Sequence, residues 1–296
     1  MDAWHAGEIA VQERIGVRRQ ADRLTQLLKR EIPTVAHDFL RAQPWVIVAA
    51  RTTEGTVWVA QLTAEPGFLE IPDPRHLRIR TWPPAEDPIT PTLCPGAELG
   101  LLVLEPESRR RMRINGRIAA CDGDILLRTE QVYANCPKYI QARRWTLTPQ
   151  AAGLETSPGT VLTKRQQEWI AMADTFFIGS THAQAGTDAS HRGGNPGFVE
   201  VRNGTTLRWP DFAGNNMFNT LGNINVDAHT GLLFVDFEHG HQLQLTGNAV
   251  VLWETPEITR YPGAQRLIEF TLTQVVETRH ASALTWELLE HSPFNP

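Results

Sequence analysis

Cysteine is scarce in this chain: three in 296 residues, Cys94, Cys121 and Cys136, an odd number with no close pair. Neither a disulfide framework nor a cysteine-built zinc site is suggested, and reduced thiols are expected. Long apolar runs are missing too. Nothing approaches the roughly eighteen apolar residues that a membrane helix needs, and the N-terminal "MDAWHAGEIAVQERIGV" is charged where a secretory signal carries its apolar stretch. The expectation is a cytoplasmic protein that does not engage a membrane. An excess of positive charge is also absent, and a net charge of -5 argues against a nucleic-acid partner. The local basic patch "ESRRRMRINGR" (Glu107 to Arg117) reads as the solvated face of a β-hairpin. There is no nucleophile elbow, P-loop, Rossmann glycine fingerprint or HExxH zinc motif, so no side chain stands out as a strong acid, base or nucleophile.

What is present begins with 41% hydrophobic residues, enough to bury a real core in a chain of this length. The chain also resembles itself. "PGFLEIPDPRHLRI" (Pro66 to Ile79) matches "PGFVEVRNGTTLRW" (Pro196 to Trp209), and "GLLVLEPESRRRMRINGR" (Gly100 to Arg117) matches "GLLFVDFEHGHQLQLTGN" (Gly231 to Asn248), both without a gap. Working back, "WVIVAAR" (Trp45 to Arg51) lines up with "FFIGSTH" (Phe176 to His182). The order is preserved, which looks like an internal duplication. Each half carries short β-branched and aromatic runs broken by Gly, Pro, Asn and Asp, the pattern of antiparallel strands in a barrel or sandwich. Helical spacing of Ile9, Val11, Ile15, Val17, Leu24, Leu27 and Leu28 predicts a helix before Pro33. A second short helix is expected after Gly214, with Met217, Leu221 and Ile224 on one side and Asn215 and Asn216 at its N-terminal end. "TLTPQAAGLETSPGT" (Thr146 to Thr160) reads as a linker. The division expected is an N-terminal helical segment over 1–40, a first repeat over 41–150 and a second over 151–296.

The stretch "SHRGGNPGFVEV" (Ser190 to Val201) sets a hydroxyl, an imidazole and a guanidinium before two glycines. Beside a helix N-terminus, Ser190, His191 and Arg192 make an anion pocket, and Gly193 and Gly194 allow close backbone approach; a polar hairpin turn is the plainer reading. Asn215 and Asn216 cap the helix or donate to the same anion. Gln242 alternates with Leu243 and Leu245, so it either bonds a planar heterocycle or is an ordinary strand glutamine. The first half offers Ala60, Gln61 and Leu62 against Ser190, His191 and Arg192, and the proline-rich "EDPITPTLCPGA" (Glu86 to Ala97) against the helix. Arg111 stands opposite Gln242. One principal site per chain follows, built mainly from the second half, with Lys138, Tyr139 and Gln141 of "NCPKYIQARRW" starting a helix that reaches across, or Lys138 merely a surface lysine.

"WHAGEIAVQERIGV", "CPKYIQ", "SHRGGNPGF" followed by "GNNMFNTLGN", "LQLTG" and the terminal "HSPFNP" together resemble the pyridoxamine 5'-phosphate oxidase-like, flavin-nucleotide-binding split-barrel family over nearly the whole chain. The resemblance implies a mainly β chain with a few helices, two tandem antiparallel split β-barrels forming an intrachain pseudo-dimer with FMN between them. Carried over by position, phosphate contacts fall on Ser190, His191, Arg192, Asn215 and Asn216, and a flavin-ring contact on Gln242. The chain departs from the true oxidases in the neutral Asn215 and Asn216, where they have basic residues, leaving the phosphate charge to Arg192 and Lys138. The oxidases' C-terminal substrate pattern is also missing, so pyridoxamine phosphate oxidation is not expected. FMN is the expected cofactor; related split barrels also use deazaflavin or haem.

Among the histidines, His239 and His241 in "FEHGHQ" read as a turn before they read as a metal pair, and no metal site is expected. His182 and His191 fall on segments near the site, where each is a candidate to donate to phosphate, protonate a product or bind haem iron. An FMN-dependent oxidoreductase acting on a small molecule is the leading expectation. Beside it stand a non-catalytic flavin or haem carrier and a barrel that has lost its cofactor. A homodimer and a monomer both remain open.

Overall fold

In the computed structural model, residues 3–148 and 153–296 are described. Two short N-terminal helices, α1 (Ala6–Arg14) and α2 (Arg18–Leu24), lead to α3 (His37–Arg41) and then to a seven-stranded antiparallel sheet. Its strands are β1 (Trp45–Arg51), β2 (Val57–Thr63), β3 (Leu69–Asp73), β4 (His76–Ile79), β5 (Glu98–Glu105), β6 (Arg110–Cys121) and β7 (Ile125–Ala134), in the order β2-β1-β5-β6-β7-β4-β3. The connecting strands β8 (Ala142–Leu147) and β9 (Glu155–Gly159) precede α4 (Lys164–Met172). The second sheet then repeats the first. With β10 (Thr175–His182), β11 (Gly186–Gly193), β12 (Glu200–Asn203), β13 (Thr206–Asp211), β14 (His229–Val235), β15 (Gln242–Leu252) and β16 (Arg266–Arg279), its order is β11-β10-β14-β15-β16-β13-β12. Helix α5 (Asn219–Val226) lies between β13 and β14, and β17 (Leu284–Glu290) closes the chain against β8. The fold is mainly β: two tandem split barrels, each wrapped around its own core.

Burial on both faces explains why β1 reads as a nearly unbroken apolar run. Val46, Val48 and Ala50 point into the first core, while Trp45, Ile47 and Ala49 join a separate cluster with Phe177, Ala189 and Leu233 of the second sheet. That cluster is the seam between the barrels. Close backbone approach across it requires glycine. A Cβ on Gly100 of β5 would lie 2.6 Å from Thr187 O on β11, and one on Gly231 of β14 would lie 2.6 Å from Val57 O on β2. These two contacts exchange under a pseudo-two-fold axis, so the seam is self-complementary like the interface of a symmetric dimer.

Strand pairing corrects the alignment of the halves by one residue. Ala49 pairs with Gly100 and Gly179 with Gly231, so Trp45 corresponds to Thr175 and Val46 to Phe176. A one-residue slip turns every side chain to the opposite face, and Val46 and Phe176 share the inward one.

The expected linker over 146–160 is partly strand: β8 pairs with β17 and β9 with β16, while residues 149–152 lie outside the described residues. The segment from Asn135 to Gln141 is a turn, with Tyr139 at φ 66°, and not a helix. Helix α4 was not expected; its signal is the capping box in which Thr163 and Gln166 satisfy each other's backbone amides.

Candidate functional site

Six segments converge on one pocket at the seam. The end of β11 supplies Ser190, His191 and Arg192, β6 of the other repeat supplies Arg111 and Arg113, and the turn after β7 supplies Lys138 and Tyr139. The loop ahead of α5 and the first turn of that helix close it with Asn215, Asn216, Phe218 and Asn219, and Phe198 and Phe212 add aromatic wall.

Its electrostatics are unbalanced. Arg113 is paired: its Nε lies 3.0 Å from Asp188 Oδ1 and donates to Ala189 O at 2.8 Å, and its terminal nitrogens donate to Tyr133 Oη and Ser190 Oγ. Arg111 is not. Its Nε is buried without a partner, and burial together with the neighbouring Arg113 and Arg192 guanidiniums pulls its pKa down to about 9, still charged at neutral pH. Arg192 is lowered by burial as well, with Asp211 the main opposing charge, and that carboxylate is also 3.5 Å from Arg266. Asp211 thus lines the pocket as its one carboxylate among the described residues, against Arg111, Arg113, Arg192 and Lys138, and cations outnumber it.

The hydrogen-bond inventory sharpens this. Ser190 Oγ already accepts from Arg113 and, at 3.1 Å, from Arg192, so its own hydrogen is left for another acceptor. His191 Nδ1 faces Arg111 Nη1 at 3.4 Å, and because a guanidinium only donates, the imidazole hydrogen belongs on Nε2, which has no partner. Burial, then Arg111, Arg192 and Arg143, hold the His191 pKa well below its ordinary value, so the ring is a neutral donor. Ser190, His191, Arg111 and Arg192 therefore all offer hydrogens and no lone pairs. An acceptor-rich anion such as a phosphomonoester fits that set.

Of the residues singled out from the sequence, Ser190, His191, Arg192, Asn215, Asn216 and Lys138 meet in this pocket. Helix α5 starts at Asn219, later than expected, with Phe218 as its N-cap at φ 63°. Asn215 and Asn216 thus sit in the preceding loop, where Asn215 Oδ1 accepts from Met217 N at 3.1 Å. Lys138 places its ammonium 5.7 Å from the Phe294 ring centroid. Gly193 and Gly194 answer to the chain itself, since a Cβ on Gly193 would collide with Tyr139 O and one on Gly194 would lie 2.7 Å from the Phe198 ring. His182 is at the far end of β10, stacked on His5 at 3.9 Å.

Gln242 does not join them. The pseudo-two-fold puts β6 against β11 but β15 against β2, so Arg111, the counterpart of Gln242, fills its place in the pocket. Gln242 faces the related position in the first repeat, which the chain closes with its own carboxylate. Asp87 accepts from Gln242 Nε2 at 3.2 Å, Gln244 Nε2 at 3.1 Å and Ile89 N at 3.0 Å. There Gln244 Nε2 donates to Val59 O at 3.0 Å, as Arg113 donates to Ala189 O in the open pocket.

The basic patch Glu107 to Arg117 is only partly a solvated face. Arg111 and Arg113 alternate inward along β6, and with Asn219 they were missed as site residues; Tyr133, behind them, bonds Arg113 and Asn219. The available signal was their two-residue spacing opposite Gln242 and Gln244.

No family model matches the chain, and no curated protein matches it. Solved structures do. An FMN-binding protein from Syntrophomonas wolfei subsp. wolfei is 11% identical, over 38% of this chain and 83% of its own, at a TM-score of 0.30. The FAD binding protein from Mycobacterium smegmatis is 14% identical, over 41% of this chain and 98% of its own, at 0.30. A protein of the pyridoxinephosphate oxidase family from Clostridium acetobutylicum, related to general stress protein 26 of B. subtilis, is 13% identical, over 42% and 92%, at 0.28. The solved neighbours include flavin-binding proteins. Each of the three spans less than half of this chain.

Among the described residues no group of three or more His, Cys, Asp or Glu side chains is arranged to hold a metal ion. His239 is instead engaged with Asp236 at 3.0 Å. No helix among them is long and apolar enough to cross a membrane.

Proposed function

We propose that the chain binds FMN at the seam of two duplicated barrels, its phosphate on Arg111, Arg192, Ser190 and His191, and acts as a flavin-dependent oxidoreductase on a small molecule. The observation that carries this reading is the buried, unpartnered Nε of Arg111 beside a second guanidinium, Arg192, whose main opposing charge, Asp211, is shared with Arg266. The fit extends past the phosphate: Tyr139 and Phe212, 5.2 Å apart, with Phe198 and Phe218, give a planar ring apolar surface to pack on. When bound, the flavin would supply hydride or electron transfer; the protein's own part is to hold the phosphate, orient the ring and exclude water. The reading carries with it the division at about residues 41 and 151, one ligand per chain and a cytoplasmic setting.

The alternative is a non-catalytic carrier of flavin, deazaflavin or haem. In the haem form His191 is the residue that would hold the iron, which requires its hydrogen to leave Nε2 for Nδ1 and Arg111 to turn away.

Titration with FMN and with riboflavin separates these readings. FMN should bind at least about tenfold tighter, since each charge-assisted contact is worth about 1.5–3 kcal/mol, and Arg192→Ala should erase most of that difference. Equal affinity for the two flavins, or an Arg192→Ala variant with full FMN affinity, would count against the phosphate pocket. A Soret band on adding haem, with no flavin uptake, would favour the carrier.

A further inference from the structure

The polar network of the pocket continues out of its rear wall to the N-terminal helix. Ser190 Oγ accepts from Arg113, Arg113 Nη1 donates to Asn219 Oδ1 at 3.3 Å, and Asn219 Nδ2 donates to Glu8 Oε1 at 2.6 Å. Glu8 is 4% exposed. It is held in place on both sides. Its Oε2 accepts from His5 N at 2.9 Å, and α1 crosses α5 glycine on glycine, where a Cβ on Gly7 would overlap Gly222 O and one on Gly222 would lie 2.7 Å from Glu8 Cα.

We propose that Glu8 takes up a proton when an anion enters the pocket, so that ligand binding is coupled to a carboxyl on the N-terminal helix. This rests on the anion-pocket reading given above. The groups facing Glu8 are His5 ahead of its own helix, with Nε2 3.6 Å from Oε2, Arg113 from β6, Tyr133 from β7, Asp188 from β11 and Asn219 from α5. Only Arg113 is a fixed cation, and it already serves Asp188. A dianion bound at Ser190 adds negative charge on the other side of that same guanidinium, so the ionised form of Glu8 loses ground and the neutral form gains it. Burial already raises the Glu8 pKa to about 7, which puts the response in the neutral range.

The test is calorimetric titration of the full chain with FMN at about pH 7.5 in buffers of different ionisation enthalpy, for wild type and Glu8→Gln. If the anion shifts the carboxyl by one pH unit, wild type takes up about half a proton more per FMN than the variant. FMN binding with no difference in proton uptake overturns the coupling and leaves the pocket intact. A wild type that binds no FMN overturns the anion-pocket reading and the coupling with it. Should Glu8→Gln fail to fold, wild-type affinity decides alone: FMN binding should weaken between about pH 7 and 8, below the range in which Arg111 loses its proton, and a profile flat from about pH 6.5 to 8 overturns the proposal.

Discussion

Arg111 carries a charge that the ligand-free protein gains little from. Its guanidinium is desolvated beside two others, with the neutral His191 Nδ1 at 3.4 Å as its acceptor. Truncating it therefore separates binding from stability. Arg111→Ala should weaken FMN binding about 10- to 100-fold while leaving the urea midpoint of the ligand-free protein unchanged or raised. A large loss of ligand-free stability would show instead that the side chain is structural. Glu8 and His5 contribute to the pH dependence of stability beside the buried His191, Asp87, Asp188 and Asp211. Glu8, a carboxyl whose pKa rises from 4.5 to about 7 on folding, contributes in full below pH 4.5, and that contribution fades as pH rises through 7, by up to about 3 kcal/mol. His5 falls from 6.5 to about 4, chiefly by desolvation, so its contribution is present above pH 6.5 and fades as pH falls toward 4. Both are neutral in the fold near pH 5–6. Between about pH 5 and 6.5 the two trends oppose each other, so the Glu8 contribution is read as a difference: the urea midpoint of wild type relative to Glu8→Gln should fall as pH rises from about 5 to 8, and a difference that does not change with pH would contradict it. Ser190, His191 and Arg192 were legible in the sequence because a hydroxyl, an imidazole and a guanidinium sit side by side before glycine. Glu8, Arg113 and Asn219 were not, because each earns its place through partners up to 211 residues away.

Among the elements, most strands announced themselves through β-branched runs and turn residues, and the long hairpin strands β6 and β15 were legible from the matched segments. What pattern alone misses is which strand faces which across the seam. The family resemblance put Gln242 at the same ligand as Arg192, yet β15 packs on β2 and the residue in its place, Arg111, belongs to the first repeat. Start points were also misread: the left-handed Asn216 and Phe218 delay α5 to Asn219, and the turn at Tyr139 replaces an expected helix. The connection between the repeats is held by a buried ion pair, Arg143 of β8 on Asp174 just ahead of β10, at 2.6 and 2.8 Å to its two oxygens. Breaking it leaves a buried guanidinium over the Phe237 ring with little else to pair with. Asp174→Ala should cost about 3–5 kcal/mol, read as a lowered urea midpoint with an unchanged slope; a loss under about 1 kcal/mol would mean that solvent reaches Arg143.

At the scale of the whole molecule, two barrels of the same strand order meet as a pseudo-dimer, and its two related positions differ. One remains open and cationic, and the other is closed by Asp87 on Gln242 and Gln244. The seam that sets both tolerates no side chain at its closest points. Gly231→Val should destabilise the fold by about 2 kcal/mol or more and weaken FMN binding, because the backbone of β14 must move off β2 and carry the shared wall with it. Retained stability and affinity together would mean that the seam is looser than the backbone contacts require. The most direct test of the central claim is the number of FMN molecules bound per chain at saturation, measured on the full chain with Arg111→Ala beside it. One per chain, with affinity lost in the variant, is the predicted result. Two per chain, none, or one that Arg111→Ala leaves untouched would contradict a single anion pocket built from both repeats.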